Sequence, residues 1–188
     1  MKVLALSGSL RQASINAALL RATQQLAPPA LDFTIFTGVG ELPLFNPDLE
    51  ADLPPAVRRL HGAVAEADAL VIASPEYAHG VTAVIKNVLD WLVSFEPFVG
   101  KPVAVLNASP RAHHADAALR ETLTTMSALI VGSASVTIPL LGAKLDDAGM
   151  VADPAIAAAI TGCLAALQGI VAEASSSSLP QGPVSPWP

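Results

Sequence analysis

Three short runs constrain this chain more than any other feature. Residues 3–6 (Val-Leu-Ala-Leu), 69–73 (Ala-Leu-Val-Ile-Ala) and 102–106 (Pro-Val-Ala-Val-Leu) carry no polar side chain. A strand with one face in water alternates apolar and polar residues, so a strand without that alternation is buried on both faces. Between the runs the apolar spacing changes to three and four. Residues 14–26 carry Ile15, Leu19 and Leu26; a second helix opens at Pro54-Pro55 with Val57, Leu60 and Val64 on one side; others are predicted over 81–94, 115–129 and 154–174. Two more strands are predicted, over 31–37 and 130–138. Five strands alternating with five helices imply an α/β domain, a parallel sheet covered on both faces. No internal repeat and no second domain is visible.

The 188 residues suit one domain. With 52% hydrophobic and 14% charged residues, a large core is easily filled, much of it with alanine. Mean hydropathy is high, +0.52. No apolar run is expected to reach the ~18 residues of a membrane-crossing helix, and no signal peptide is read at the start, so a cytoplasmic location without membrane attachment is the expectation. Cys163 is the single cysteine, which excludes a disulfide framework and a cysteine metal cluster. It lies on the apolar stripe of the last helix and reads as a core thiol. A net charge of −6 argues against a nucleic-acid surface. The final stretch from residue 175 to 188 is rich in Ser and Pro and reads as a disordered tail beyond a domain at 1–174.

An open α/β sheet binds ligands at the carboxyl ends of its strands, where the strand order reverses. The loops expected there are 7–16, 74–80 and 107–114. In the first, Gly8 permits a tight turn, Ser14 is a candidate helix N-cap, Ser9, Ser14 and Asn16 are neutral donors, and Arg11 adds a charged planar fork. This set suits one terminal phosphate at a helix N-terminus. It lacks the Gly-Lys-Ser/Thr of a triphosphate loop and the Gly-x-Gly-x-x-Gly dinucleotide turn. The alternative is an ordinary strand–helix turn whose serines are only caps. The second loop, Ser-Pro-Glu-Tyr-Ala-His-Gly, either lies along a flat ring with its backbone meeting the ring edge, or is solvated with Tyr77 packed on a neighbour. The third holds Ser109, Pro110, Arg111, His113 and His114. Adjacent histidines hint at metal, but no cysteine or carboxylate stands at ligand spacing, so this loop reads as solvated or as touching a second substrate. No metal site and no catalytic dyad is assigned.

Two longer motifs then stand out: Gly-Ser-Leu-Arg-Gln-Ala-Ser-Ile-Asn at 8–16, and Pro-Glu-Tyr-Ala-His-Gly-Val-Thr-Ala-Val-Ile-Lys-Asn-Val-Leu-Asp-Trp at 75–91. Together they resemble the NADPH-dependent FMN reductase family, which includes quinone, chromate and azo-dye reductases. The resemblance implies a flavodoxin-like three-layer sandwich with a five-stranded parallel sheet in the order 2-1-3-4-5. It implies bound FMN, with NADPH or NADH as electron donor, and a small-molecule acceptor: a quinone, a flavin, an azo dye or a metal oxyanion. Ser9, Arg11, Ser14 and Asn16 would hold the FMN phosphate; Pro75, Glu76 and Tyr77 would flank the isoalloxazine ring, with position 78, here Ala78, beside them and Ser109 at the ring edge. In relatives an Asn often stands at position 78, and the third loop is often Gly-rich, so Arg111 and His113 either narrow the pocket or meet the NADPH phosphate. The implied chemistry is ping-pong hydride transfer carried by the cofactor. A flavin-binding electron carrier or redox sensor is the other reading, although 4% aromatic content does not suit a ring sandwiched between aromatics.

Apolar residues wrap most of the 81–94 helix (Val84, Ile85, Val88, Leu89, Trp91, Leu92). A sheet-covering helix needs one stripe. The surplus predicts burial against a second copy, in a homodimer or homotetramer, unless the chain buries the helix itself; Lys86 and Asp90 would pair within the helix or across that interface.

Overall fold

The computed structural model describes residues 1–177. The rest of the Ser/Pro-rich stretch, 178–188 with Trp187, lies outside the described residues. In chain order the elements are β1 (Lys2–Ser7), α1 (Ile15–Leu26), β2 (Asp32–Ile35), α2 (Pro55–Glu66), β3 (Ala69–Ala73), α3 (Ala83–Asp90), β4 (Pro102–Asn107), α4 (His113–Thr125), β5 (Leu129–Ile130), β6 (Val136–Thr137), α5 (Asp147–Ala152) and α6 (Pro154–Ser177). The sheet runs β2-β1-β3-β4-β5, with β6 also on β4, and every pairing is parallel. This is the 2-1-3-4-5 order. After β1 the chain steps outward to β2, then crosses back to lay β3 on the other side of β1, so a crevice opens at the carboxyl ends of β1 and β3.

The polar-free runs are buried on both faces because the sheet is covered on both. Val3, Ala5, Ala69, Val71, Ala73, Ala104 and Leu106 share one core with α1, α5 and α6. Leu4, Leu6, Leu70, Ile72, Val103 and Val105 share the other with α2, α3 and α4. The first face is alanine-rich, which lets α1 and α6 approach closely.

Four features differ from the sequence expectations. The strand over 130–138 breaks into β5 and β6 around a 3-10 turn at Gly132–Ala134. Ser135 makes the break tolerable: its hydroxyl donates to Val131 O (2.9 Å) and accepts from Val105 N–H (3.0 Å), replacing a ladder bond. Helix α4 begins two residues early, so His113 and His114 are its first turn rather than loop. Helix α5 was not anticipated; Asp146 caps it and Asp147 pairs with Arg21 of α1.

The fourth is α6, which extends to Ser177 and thus holds residues 175–177. Over Pro154–Ala174 it has mean hydropathy 2.0 and is long and apolar enough to cross a membrane, contrary to the expectation that no run is. Only 22% of that window is buried. Ile160, Cys163, Leu164 and Leu167 face the sheet, whereas the outward positions are small, among them Ala155, Ala158, Gly162, Ala165 and Gly169.

The apolar wrap of α3 is met within the chain. Ile85, Val88, Leu89, Trp91 and Leu92 are all buried. The loop before α2 covers the far side: Trp91 Nε1 donates to Pro43 O (2.8 Å), Phe45 packs edge-on against the indole, and the Asn87 carboxamide accepts from Phe45 N–H and donates to Pro43 O. Val84 stays half-buried and Val93 exposed, while the other five residues of the wrap are covered by the chain itself, and Lys86 pairs with Asp90 within the helix.

Candidate functional site

Gly8 ends β1 and donates its N–H to Ala73 O, at the end of β3 (2.9 Å). A Cβ at Gly8 would lie 2.1 Å from Ser74 Oγ and 2.9 Å from Ser74 Cα, so only glycine lets the first two loops touch. Thr82, the N-cap of α3, fastens the contact by donating to Gly8 O (2.7 Å). Beyond Gly8, Ser7 Oγ accepts from Ser9 N–H and Ser9 Oγ accepts from Arg11 N–H. The loop then delivers Ser14, the N-cap of α1, whose hydroxyl accepts from Ala17 N–H (3.3 Å). The N–H groups of Ile15 and Asn16 have no carbonyl to reach within the helix, and both residues line the cavity described below.

The second loop is a tight reversal. Tyr77 and Gly80 exchange N–H···O=C bonds (3.1 and 3.0 Å), and between them Ala78 (φ 49°) and His79 (φ 61°) are both left-handed. Two successive residues with positive φ define the primed turn that joins a hairpin. The backbone groups of Tyr77 are thus satisfied inside the turn. Glu76 reaches across to α4, which has no side-chain cap of its own, and its carboxylate accepts from Ala115 N–H (2.8 Å). That bond, helped by the nearby His114 and His79 rings, holds the Glu76 carboxyl below its ordinary value against the opposing effect of partial burial. A second tie is the stacking of His79 on His114, centroids 4.4 Å apart, with His113 alongside at 4.1 Å.

The third loop repeats the plan of the first. Asn107 Oδ1 accepts from Ser109 N–H (2.9 Å), and Ser109 Oγ accepts from Arg111 N–H (3.2 Å). Ser7-Ser9-Arg11 and Asn107-Ser109-Arg111 therefore deliver an arginine by the same two-step ladder.

All three loops converge on one cavity of about 320 Å³. Of the residues singled out from sequence, Ser9, Arg11, Ser14, Asn16, Pro75, Glu76, Tyr77 and Ser109 line it; Ala78 does not, because the turn carries it away. Sequence reasoning missed Ser74, Asn107, Ala112 and Leu141, which also line it. Leu141 comes from the segment between β6 and α5, where its one sequence signal is an apolar pair, Leu140-Leu141, in a loop. No His/Cys/Asp/Glu cluster that could hold a metal exists among the described residues.

The family model described as NADPH-dependent FMN reductase matches residues 1–141. The chain belongs to that family. An NAD(P)H-dependent FMN reductase of Pseudomonas aeruginosa is 36% identical over 160 residues, 78% of this chain and 86% of the relative. A quinone reductase of Escherichia coli is 32% identical over 113 residues, 58% of this chain and 60% of that protein's length. Among solved structures, a flavoenzyme NAD(P)H:acceptor oxidoreductase of Paracoccus denitrificans superposes with a TM-score of 0.81 at 30% identity, covering 92% of this chain and 97% of the other. The chain is thus an oxidoreductase of the NAD(P)H-dependent FMN and quinone reductase family.

Two features of this reductase bear on its chemistry. Burial pushes the Cys163 thiol up to about 12, so it is no nucleophile. Four of the six arginines are paired with carboxylates: Arg21, Arg58, Arg59 and Arg120. Among the described residues, the two without an ion pair are Arg11 and Arg111, and both line the cavity.

Proposed function

We propose that the chain is an FMN-dependent NAD(P)H oxidoreductase that passes electrons from NAD(P)H by way of FMN to a quinone, flavin or similar acceptor, donor and acceptor using one place in turn. The observation that carries this reading is the Asn16 carboxamide. Asn16 is 3% exposed and lines the cavity, and its side-chain oxygen has no partner among the described residues. A buried acceptor left unpaired costs on the order of 1–3 kcal/mol and calls for a donor, which a ribityl hydroxyl of FMN next to the phosphate supplies while the amide N–H groups of Asn16 serve the phosphate end, so its presence at the mouth of α1 marks a ligand's place. The chemistry of the surrounding groups fits FMN: hydroxyls from Ser9 and Ser14, the open first turn of α1 with its partial positive charge, and the unpaired Arg11 all favour a phosphate monoester.

In this reading Ser9, Arg11, Ser14 and Asn16 hold the phosphate end, and Pro75, Glu76, Tyr77 and Ser109 border the ring. Glu76 acts as a positioning residue, since its carboxylate is engaged by α4. When bound, FMN supplies the hydride-accepting and hydride-donating chemistry. The chain's part is to hold, orient and screen: Gly8 and Thr82 lock the first loop to the second, and Glu76 locks the second to α4. Over one cycle a hydride leaves NAD(P)H and one proton comes from solvent, so a quinone departs as hydroquinone. Among the described residues Tyr77 is the one aromatic residue lining the cavity, which favours an enzyme over a carrier whose ring lies between two aromatics.

Anaerobic mixing of FMN-loaded protein with NADPH, followed by a quinone, tests the reading. Loss of the yellow colour within the mixing experiment, and its return on adding quinone, is expected. Persistent colour would identify a carrier, and failure to take up FMN would overturn the assignment of the site.

A further inference from the structure

Arg111 is unexplained by the FMN reading, which uses Arg11 and the α1 terminus for the single phosphate. Its backbone N–H is used by Ser109 Oγ (3.2 Å), but its guanidinium has no carboxylate partner among the described residues. Glu76, which lines the same cavity, is engaged by Ala115 N–H, and Asp116 of α4 by Arg120. Arg111 also stands at a junction. With Ser109 and Leu141 it lines both the main cavity and a second of about 380 Å³, completed by Pro110, Pro139 and Gly142. The second chamber has apolar walls and one cation.

The difference between the two arginine ladders decides what Arg111 can take. Arg11 is followed by an open helix N-terminus, which supplies several N–H donors to a phosphate. Arg111 is followed by α4, whose first turn is already capped by Glu76. A carboxylate is therefore fixed where a phosphate would seek donors, which leaves the planar fork of the Arg111 guanidinium as the cationic donor of this chamber. A fork suits a planar or trigonal oxyanion on an organic frame, and Leu141, exposed to 59%, with Pro110 and Pro139 suits that frame being a ring.

We propose that Arg111 is the subsite for a carboxylate or sulfonate borne on the ring of the electron acceptor, and that it makes the protein selective for acidic quinone-type acceptors over neutral ones. This rests on the reductase reading above. The overall charge of −6 repels such acceptors, so recognition has to be local to the pocket.

The test compares FMN-loaded wild type with Arg111→Gln and Arg111→Lys, using 1,4-naphthoquinone-2-sulfonate and neutral 2-methyl-1,4-naphthoquinone. Arg111→Gln is expected to lower kcat/KM for the sulfonate about ten- to a hundredfold, the weight of one charge-assisted hydrogen bond, while the neutral quinone changes less than about twofold. Arg111→Lys keeps the charge without the fork and is expected to fall between. Equal loss for both quinones, no loss for either, or a rise confined to the KM for NADPH overturns the proposal. A redox-silent probe separates it from the reductase reading. Naphthalene-2-sulfonate binding, measured by calorimetry, should weaken about tenfold or more in Arg111→Gln, and unchanged affinity overturns the subsite even if turnover is absent. Wild type inactive on both quinones overturns the reductase reading instead.

Discussion

At the scale of single residues, the loop between β1 and α1 was the most legible part of the cavity. The spacing of Ser9, Arg11, Ser14 and Asn16 after a buried strand forces them into the turn between β1 and α1, and local sequence determines that turn. Arg11→Ala is expected to weaken FMN binding by about 1.5–3 kcal/mol, read by titration of the apoprotein. Glu76 was legible only as a member of the loop. Its partner, Ala115 N–H, is 39 residues away and becomes a neighbour only once β3 and β4 pair. Because its folded value lies below the ordinary 4.5, Glu76 stabilises the native state above that pH, and the contribution disappears as pH falls from about 4.5 through the depressed value. Glu76→Gln should therefore lower Tm at neutral pH, with the gap to wild type narrowing as pH falls below 4.5 through the depressed value and the carboxyl becomes neutral. A gap that persists in acid would mean that the carboxylate charge does not matter.

At the scale of elements, the strands without polar residues were read nearly to their ends. Residues 69–73 coincide with β3, because burial on both faces leaves one signature. The edge of the sheet was read less well. Residues 130–138 look like one strand, yet Gly132 and Ser133 tolerate a 3-10 turn and Ser135 supplies the missing bond through its side chain, a substitution that hydrophobic pattern does not register. The early start of α4 has a similar origin: its cap is borrowed from Glu76, so no Ser, Thr, Asp or Asn announces it. Ser135→Ala should leave the buried Val105 N–H and the Val131 carbonyl without that partner and cost about 1–3 kcal/mol. Urea unfolding measures this, and a change within about 0.5 kcal/mol would show that water or a backbone shift replaces the hydroxyl.

At the scale of the whole molecule, α6 is where hydropathy and packing point in different directions. It lies beyond the family match at 1–141, and its Pro154–Ala174 window satisfies the length and hydropathy of a membrane helix. Hydropathy counts residues without regard to face. Here the large side chains point inward, Ile160, Leu164 and Leu167 being 0–1% exposed, while alanine and glycine contribute apolar character outward with little surface. The helix thus completes one of the two layers over the sheet, against β4, in the core that holds Ala104 and Leu106. Without it that face of β4 would stand in water. If α6 is such a layer, Leu167→Ala opens a cavity in a close-packed core and should cost about 2–5 kcal/mol. Leu44→Ala, at 81% exposure, should stay within about 0.5 kcal/mol. Comparing the two urea midpoints at equal slope isolates the contribution of α6. Near-equal midpoints would mean that α6 is dispensable to the core and that its apolar length serves something outside the domain.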